Sequence, residues 1–204
     1  MSLQFKELQH HWETTTIPLT EHNSQFVYVL HGESDITYEF QTTQENTQTS
    51  ISVLCLATNI WALRCSINAH LLHSNCSASI HIVTLYSDQS NAHIDWWVII
   101  HPDIIKAEWH LLEENIIIGE KVTLKTLPML DVRSNDVKAS HWARIERLDP
   151  QKLFYLQSKW LPNTVSKKLM ITWYIKNILE PVENTQDISS LTERYLDILW
   201  IENA

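Results

Sequence analysis

The sequence predicts a mainly β chain that ends in a small helical unit. Between Gln25 and about Ile145 apolar and polar residues alternate with a period of two, as in "SASIHIVTLYS" and "NAHIDWWVII". The separating segments, such as "QTTQENTQT" and "SDQSN", are short and polar and show no clear helical period. Parallel strands joined by helices are therefore not expected. A β-sandwich, an antiparallel barrel and a solenoid of stacked turns all fit this pattern.

The pattern changes after Asp149, which can accept hydrogen bonds from the free amides of a first helical turn. Pro150 suits the first helical position, because its missing N–H needs no partner there. The segment "PQKLFYLQSKW" therefore predicts one helix, and "TVSKKLMITWYIKNILE" predicts a second that ends before Pro181. A third helix is predicted to begin near Asp187.

In the second predicted helix, Val165, Leu169 and Trp173 lie along one face. The third has Ile188, Leu191, Tyr195 and Ile198 at helical spacing. We therefore expect a β part over residues 1–148, irregular in its N-terminal segment, and a helical domain over residues 149–204.

Composition excludes several classes of protein. A formal net charge of -9 over 204 residues argues against a nucleic-acid-binding protein, because affinity for nucleic acid comes largely from clustered Lys and Arg. The segment "MSLQFKELQHHWETTT" does not resemble a signal peptide, and no apolar run reaches membrane-spanning length. We therefore expect a cytoplasmic protein with neither nucleic acid nor membrane as a partner.

The glycine and cysteine residues exclude further kinds of functional site. Only Gly32 and Gly119 occur, so turns that need positive φ must use Asn, Asp and Ser, and a glycine-rich phosphate loop is excluded. Cys55, Cys65 and Cys76 lie in alternating apolar stretches and form no CxxC pair. We expect small core residues with a raised thiol pKa, not cluster ligands.

Two consecutive stretches carry a resemblance. "LPMLDVRSNDVKASH" followed by "RLDPQKLFYLQSKWL" resembles the C-terminal region of the SufB/SufD family of the SUF iron-sulfur cluster assembly machinery, and SufD-type chains more closely. The order of a Thr-x-Pro-x-Leu segment, an "NDVKxSH" strand end, an "LFYL" helix and a "SKWL" helix exit carries the match. It extends convincingly from about Asn115 to Pro181, and the chain is shorter than the family pattern at its N-terminal side.

The resemblance implies a fold and a set of partners. The fold would be a right-handed parallel β-helix with a small C-terminal helical domain, which would dock onto a SufC-type ABC ATPase. The β-helix would pair with a SufB-like partner or with a second copy of the chain. The implied role is a non-catalytic scaffold with no stably bound cofactor, in transient contact with iron or an Fe-S cluster.

The resemblance also points to His141 as the candidate iron or cluster contact. The motif residues Asp136, Val137, Lys138 and Ser140 match the family pattern around it. Four positions depart from that pattern: Ala139 replaces a Cys, Trp142 a Gly, Arg144 a Thr and Trp160 a Gly. Ala139 cannot supply a thiolate to iron, so cluster chemistry would depend on the imidazole, which binds iron well when neutral. The alternative is a histidine that only hydrogen-bonds a neighbouring strand, next to Trp142.

The first helix and its exit supply the candidate partner-binding residues Phe154, Tyr155, Leu156 and Lys159. An aromatic patch with a basic rim suits a protein contact, since aromatic residues carry much of the interface energy. The alternative is that Phe154 and Leu156 only pack the helix against the β part.

Other residue patterns indicate weaker alternatives. The stretch "FVYVLHGESDITYEF" resembles the first strands of a cupin, which would make the chain a small β-barrel metal enzyme or sensor, although the expected second His and carboxylate are missing after His31. Trp96, Trp97 and Trp109 could form an aromatic platform for sugars. Glu113 and Glu114 are adjacent strand residues, so they point to opposite faces and cannot act as a catalytic pair.

The remaining histidines are scattered over several predicted strands: His70, His73, His81, His93, His101 and His110. Their spacing matches no ligand signature and carboxylate companions look sparse, so we expect surface or hydrogen-bonded structural roles.

Overall fold

The computed structural model describes residues 2–20, 22–58 and 62–200. Eleven strands occupy the first three quarters of the chain. They are β1 Ser2–Gln9, β2 Trp12–Leu19, β3 Asn23–His31, β4 Ser34–Thr42, β5 Gln48–Ala57, β6 Ala62–Leu71, β7 Ser77–Tyr86, β8 Asn91–Ile100, β9 Ala107–Ile117, β10 Thr123–Val132 and β11 Val137–Arg147. Three helices follow: α1 Pro150–Ser158, α2 Asn163–Leu179 and α3 Ile188–Trp200.

The strands stack into a parallel β-helix. The six-stranded sheet has the order β1-β3-β5-β7-β9-β11, and the five-stranded sheet has the order β10-β8-β6-β4-β2. Every strand pair of the described chain is parallel, so the predicted β-helix is confirmed, and the sandwich, the antiparallel barrel and the cupin-like barrel are wrong. Successive strands of one sheet are joined through the other sheet, which is why parallel pairing needs no intervening helix.

Alternation along each strand builds the interior of the β-helix. Inward residues form one apolar core that includes Tyr38, Phe40, Trp96 and Trp109. Each fully buried large apolar side chain stabilises the fold by roughly 1.5–3 kcal/mol relative to an exposed one. Because Trp96 and Trp109 lie in this core and Trp97 lies on the outer face, the aromatic platform for sugars is wrong.

Helices α2 and α3 pack on the outer face of the six-stranded sheet, and α1 contacts α2. Their shared cluster joins Leu54, Val83 and Ile116 of the sheet to Ile175 of α2 and Tyr195 of α3. Asp149 caps α1 as predicted, since its side chain accepts from the backbone N–H groups of Gln151 and Lys152. In the described residues no helix combines the length and the apolar character that crossing a lipid bilayer requires.

The apolar face predicted for α2 does not face the core. Val165, Leu169 and Trp173 are 40%, 48% and 58% exposed, and α2 instead buries a second stripe that contains Ile171 and Ile175. Apolar residues lie around most of this helix, so the sequence period alone does not decide which stripe meets the sheet.

The turns between rungs place Asn and Asp in the left-handed region, as predicted, but among the described residues His10, Gln89 and Lys106 take the role expected of Ser. The left-handed positions include Asn46, Asn75, Asp103 and Gln89, and among the glycines Gly32 adopts a φ of 78°. Asn and Asp tolerate this region because their short side chains hydrogen-bond locally.

The N-terminal segment is not irregular as expected, because it forms β1 and β2, the first rung. Polar residues face inward at this end. Glu13 accepts hydrogen bonds from Thr15 Oγ1 at 2.6 Å, Lys6 Nζ at 3.0 Å and Tyr38 Oη at 3.1 Å, and its Oε2 lies 2.9 Å from His11 Nε2. Inward charges on a terminal rung oppose stacking of another strand onto the open edge.

We predict an acid-sensitive contribution from Glu13. The hydrogen bond from Thr15, with further bonds from Lys6, His11 and Tyr38, outweighs burial and lowers the pKa of Glu13 to about 2. Since this folded-state pKa lies below the unfolded value of about 4.3, the stabilisation is complete above that value and is lost as pH falls toward 2. Glu13→Gln should therefore flatten the decrease in unfolding free energy between about pH 4.5 and pH 2.

Urea unfolding at a series of pH values measures this slope, with the exposed Glu33→Gln as the matched control. An unchanged slope in Glu13→Gln, or an equal change in Glu33→Gln, would contradict the assignment.

A polar clasp joins the first strand to the last helix. Glu7 on β1 pairs with Arg194 of α3, accepts from Tyr195 Oη at 3.2 Å and contacts His31 Nε2 at 2.9 Å. Tyr195 is fully buried and His31 nearly so, which shields these bonds from water. The N-terminal rung is thereby tied to the C-terminal helical unit.

Candidate functional site

The C-terminal end of the β-helix is open. In the described part of the chain, β10 pairs with β8 alone and β11 with β9 alone, so each presents one unpaired edge. Register partners in a parallel strand pair point to the same face of the sheet. The interior of the penultimate rung is lined by Val98, Ile100 and Asn115, so their register partners in the last rung also face the interior. These are Leu130, Val132 and Ile145, which are 42%, 40% and 54% exposed. The last rung thus presents apolar side chains at an uncovered end.

His141 lies in the middle of this open rung, on the inner face of β11. Its register partner is Leu111, a core residue, and its ring stands nearly perpendicular to the Trp96 ring, with the centroids 4.8 Å apart. His141 itself is exposed. The imidazole therefore rests on a buried indole and has an open side toward the end of the β-helix.

Trp142 points the other way and does not cover His141. It is 70% exposed on the outer face of β11, beside its register partner Leu112. The alternative in which Trp142 flanks the His141 ring is therefore wrong, because adjacent strand residues point to opposite faces.

A buried carboxylate lies beneath Trp96. Glu113 is fully buried in the interior and accepts from Trp96 Nε1 at 2.9 Å, Asn115 Nδ2 at 2.7 Å and Thr126 Oγ1 at 2.5 Å. Tyr86 Oη in turn donates to Asn115 Oδ1 at 2.8 Å. The network holds Trp96 in a fixed orientation below His141, since a buried polar group needs its partners.

Glu113 and Glu114 do point to opposite faces, as predicted. Glu114 lies on the outer face, where it pairs with Arg144 and contacts His81 Nε2 at 2.6 Å. Sequence reasoning excluded the pair as catalytic carboxylates but gave Glu113 no role, because its donors come from neighbouring strands.

The other residues of the "NDVKASH" motif do not converge on His141. Lys138 pairs with Glu108 on the outer face, and Ser140 Oγ lies 2.7 Å from His110 Nδ1 on the same face. The Asp136 carbonyl accepts from Lys106 N at 2.6 Å, and Ala139 packs against the core. The motif residues thus support the strand, and among them His141 turns an imidazole toward the open interior.

The three cysteines lie in the apolar interior of the β-helix. Cys55, Cys65 and Cys76 are buried and free, as predicted. Contact with the Cys65 thiol and burial raise the pKa of Cys55 well above its usual value. A protonated thiol is a poor metal ligand and a poor nucleophile.

The predicted partner-binding residues lie on α1 and at its C-terminal cap, and most of them are exposed. Phe154 and Tyr155 are 73% and 61% exposed, Leu156 is half-buried, and Lys159 Nζ lies 5.4 Å from the centroid of the Tyr155 ring. Trp160 follows and is almost fully exposed. Phe154 therefore does not pack the helix against the β part.

Carboxylate companions of the histidines are more common than the sequence indicated. Carboxylate contacts are made by His11, His31, His70, His81 and His93. Most of these pairs join successive rungs and are separated by more than 20 residues in sequence. No cluster of three or more metal-ligating side chains occurs within residues 2–20, 22–58 and 62–200.

The fold and the open end define the class of protein, a short parallel β-helix with a helical unit on its side and an imidazole at its uncovered end. A family model described as "SUF system FeS cluster assembly, SufBD core domain" matches residues 10–173. Because this match covers most of the chain, the chain belongs to the SufBD family of iron-sulfur cluster assembly proteins.

Individual relatives agree with the family. The chain is 22% identical to the iron-sulfur cluster assembly protein SufD of Escherichia coli (strain K12) over 180 residues, which is 87% of this chain and 43% of that protein. It is 29% identical to SufD of Bacillus subtilis (strain 168) over 84 residues, 41% of this chain and 18% of that protein. A SufBD family protein of Synechocystis is 31% identical over 71 residues, 35% of this chain and 16% of that protein. The alignments thus span less than half the length of these relatives.

Proposed function

We propose that the chain is a SufD-like, non-catalytic scaffold component of iron-sulfur cluster assembly. It pairs through the open C-terminal end of its β-helix, binds a SufC-type ABC ATPase through its helical unit, and contacts iron or a nascent cluster through His141. The observation that carries the proposal is the position of His141, exposed in the last rung of an apolar open end. Iron or the cluster is cargo in this scheme and not a resident cofactor.

The two ends of the β-helix differ in a way that favours pairing at the C-terminal end. The first rung turns Lys6 and Glu13 inward, whereas the last rung turns Leu130, Val132 and Ile145 inward and leaves them exposed. Unpaired strand edges beside exposed apolar side chains are a ready site for another strand. A SufB-like partner or a second copy of the chain would continue both sheets across this end.

His141 can donate one nitrogen ligand to cargo held at the seam. The Trp96 ring supports one side of the imidazole, and the remaining side faces the end where the partner would sit. Since Ala139 stands where the family pattern has a Cys, thiolate ligands must come from the partner, while the cluster brings only its own sulfide.

The exposed helical surface suits the ATPase. Phe154, Tyr155 and Trp160 are exposed aromatic residues of α1 and its exit, and Lys159 Nζ lies over the Tyr155 ring. Val165, Leu169 and Trp173 are exposed on α2. Exposed aromatic and apolar residues beside a basic group are typical of a protein interface.

Co-purification tests the proposal. We expect the tagged full chain, co-expressed with a SufC-type ATPase and a SufB-like protein, to retain both. Tyr155→Asp should lose the ATPase and keep the SufB-like protein, since a buried unpaired charge opposes docking. The exposed Thr16→Asp at the other end of the β-helix is the matched control and should retain both. Failure of the unaltered chain to retain either protein would overturn the proposal.

A further inference from the structure

Three polar side chains from successive rungs meet on the outer face of the five-stranded sheet. Glu39 lies on β4, His70 on β6 and His101 directly after β8. Each neighbouring pair is 31 residues apart in sequence. Register partners at this level are 29 residues apart, so each contact is offset by two residues along the strands. The helices cover the other sheet, so this face lies apart from the proposed ATPase surface.

The two imidazoles present ring nitrogens to each other. His70 Nδ1 lies 3.5 Å from His101 Nε2, with the ring centroids 5.8 Å apart and the ring planes at 42°. Two nitrogens bound to one tetrahedral zinc ion at 2.0–2.1 Å would be about 3.4 Å apart. The observed N···N separation is therefore close to the one that a shared metal ion requires. The 5.8 Å centroid distance shows that the two nitrogens face each other head-on, so each ring must tilt toward a common point when both bind one ion.

Glu39 sets the proton position on His70. Its Oε2 lies 2.8 Å from His70 Nε2, and Asn68 Nδ2 donates to its Oε1 at 2.6 Å, which fixes the carboxylate. A carboxylate accepts only, so His70 carries its proton on Nε2 and turns the lone pair of Nδ1 toward His101. A carboxylate that orients a histidine in this way is the usual outer partner of a metal-binding imidazole.

The charged groups around the pair leave it accessible to a cation. Asp131 and Arg133 lie near His101 on the side of β10, and the Arg133 Nε donates to Asp131 Oδ2 at 2.9 Å. The opposite charges of Asp131 and Arg133 cancel, and Glu39 adds one negative charge next to His70. His70 retains 21% side-chain exposure, so an ion can reach the pair from solvent.

We propose that His70 and His101 bind one divalent transition-metal ion of the Zn²⁺, Cu²⁺ and Ni²⁺ class, with Glu39 as the positioning residue of His70. His70 Nδ1 and His101 Nε2 are the protein ligands, and solvent completes the coordination. Imidazole suits these ions. With two protein ligands the site is exchangeable and weaker than a structural four-ligand zinc site. The site is separate from His141 and does not depend on the proposed assembly function.

The test uses the purified full chain with Zn²⁺ in isothermal titration calorimetry and Cu²⁺ in electron paramagnetic resonance. We expect His70→Ala and His101→Ala each to weaken Zn²⁺ binding at least tenfold, and Glu39→Gln to weaken it roughly tenfold, as loss of an outer-shell partner does. The Cu²⁺ spectrum should show coupling to two imidazole nitrogens in the unaltered chain and to one in either His variant.

His93→Ala is the matched control, because His93 lies on the same face and contacts the carboxylate of Asp95. It should bind Zn²⁺ like the unaltered chain, and metal-free melting curves should establish that every variant is folded. The proposal is overturned if His70→Ala or His101→Ala binds Zn²⁺ as tightly as the unaltered chain, or if His93→Ala loses as much affinity as they do.

Discussion

Replacing Trp96 with alanine is expected to lower the free energy of unfolding by about 4 kcal/mol, the range of buried Trp-to-Ala changes. Trp96 is 1% exposed and is one of the largest side chains of the core. The change leaves a cavity and removes the indole N–H that Glu113 accepts. A buried carboxylate that loses a donor keeps its desolvation penalty, which adds to the loss.

Trp96→Phe separates the two contributions. Phenylalanine keeps most of the apolar contact but cannot donate to Glu113, so we expect a smaller loss of about 1–3 kcal/mol. Urea unfolding followed by circular dichroism measures both variants, and the half-exposed Trp97→Ala serves as the control on the outer face of the same strand. If Trp96→Ala unfolds at the same urea concentration as Trp97→Ala, Trp96 does not stabilise the interior in the way proposed.

The second large effect concerns the open end. The double substitution Leu130→Lys and Ile145→Lys is expected to weaken pairing by at least about 100-fold. Both side chains are exposed in the single chain and would be buried in the pair. Burying an unpaired ammonium costs several kcal/mol, and about 1.4 kcal/mol corresponds to a tenfold change in affinity.

Analytical ultracentrifugation of the chain, alone and with a SufB-like partner, measures this effect. The stability of the chain should change little, because substitutions at exposed positions usually stay within about 0.5 kcal/mol. Thr16→Lys on the outer face of β2 is the control and should pair normally. Normal pairing of the double variant would place the interface elsewhere.

The sequence was sufficient for the strands from β3 onward, the helices and the Asp149 cap, because these depend on neighbours within a few residues. Alternation also indicated correctly that Glu113 and Glu114 face opposite sides. It could not show that Trp96 and Thr126 donate to Glu113, since the contacting rungs are unequal in length. Register partners are 22 residues apart at Ser2 and Ser24 and 32 apart at Asn91 and Thr123.

The pairing of His70 with His101 was missed for another reason, because the two residues are 31 apart and become neighbours only when the strands stack as a solenoid. A search for histidines and carboxylates about 30 residues apart would have found His70, His101 and Glu39 once a solenoid was assumed. The irregular N-terminal segment was a wrong expectation for a different reason. Its strands mix polar residues such as Gln, Thr and Glu with apolar ones, because on a terminal rung many inward positions are only partly buried.

The clasp between Glu7 and α3 has a consequence for how the molecule comes apart. Stacked-repeat proteins can fray from either terminus, because each repeat touches only its neighbours. Here Arg194 and Tyr195 bind a residue of the first repeat, nearly the whole chain away in sequence. Unfolding of the first repeat therefore also removes contacts of the last helix. The two ends of the chain should unfold together as one cooperative unit.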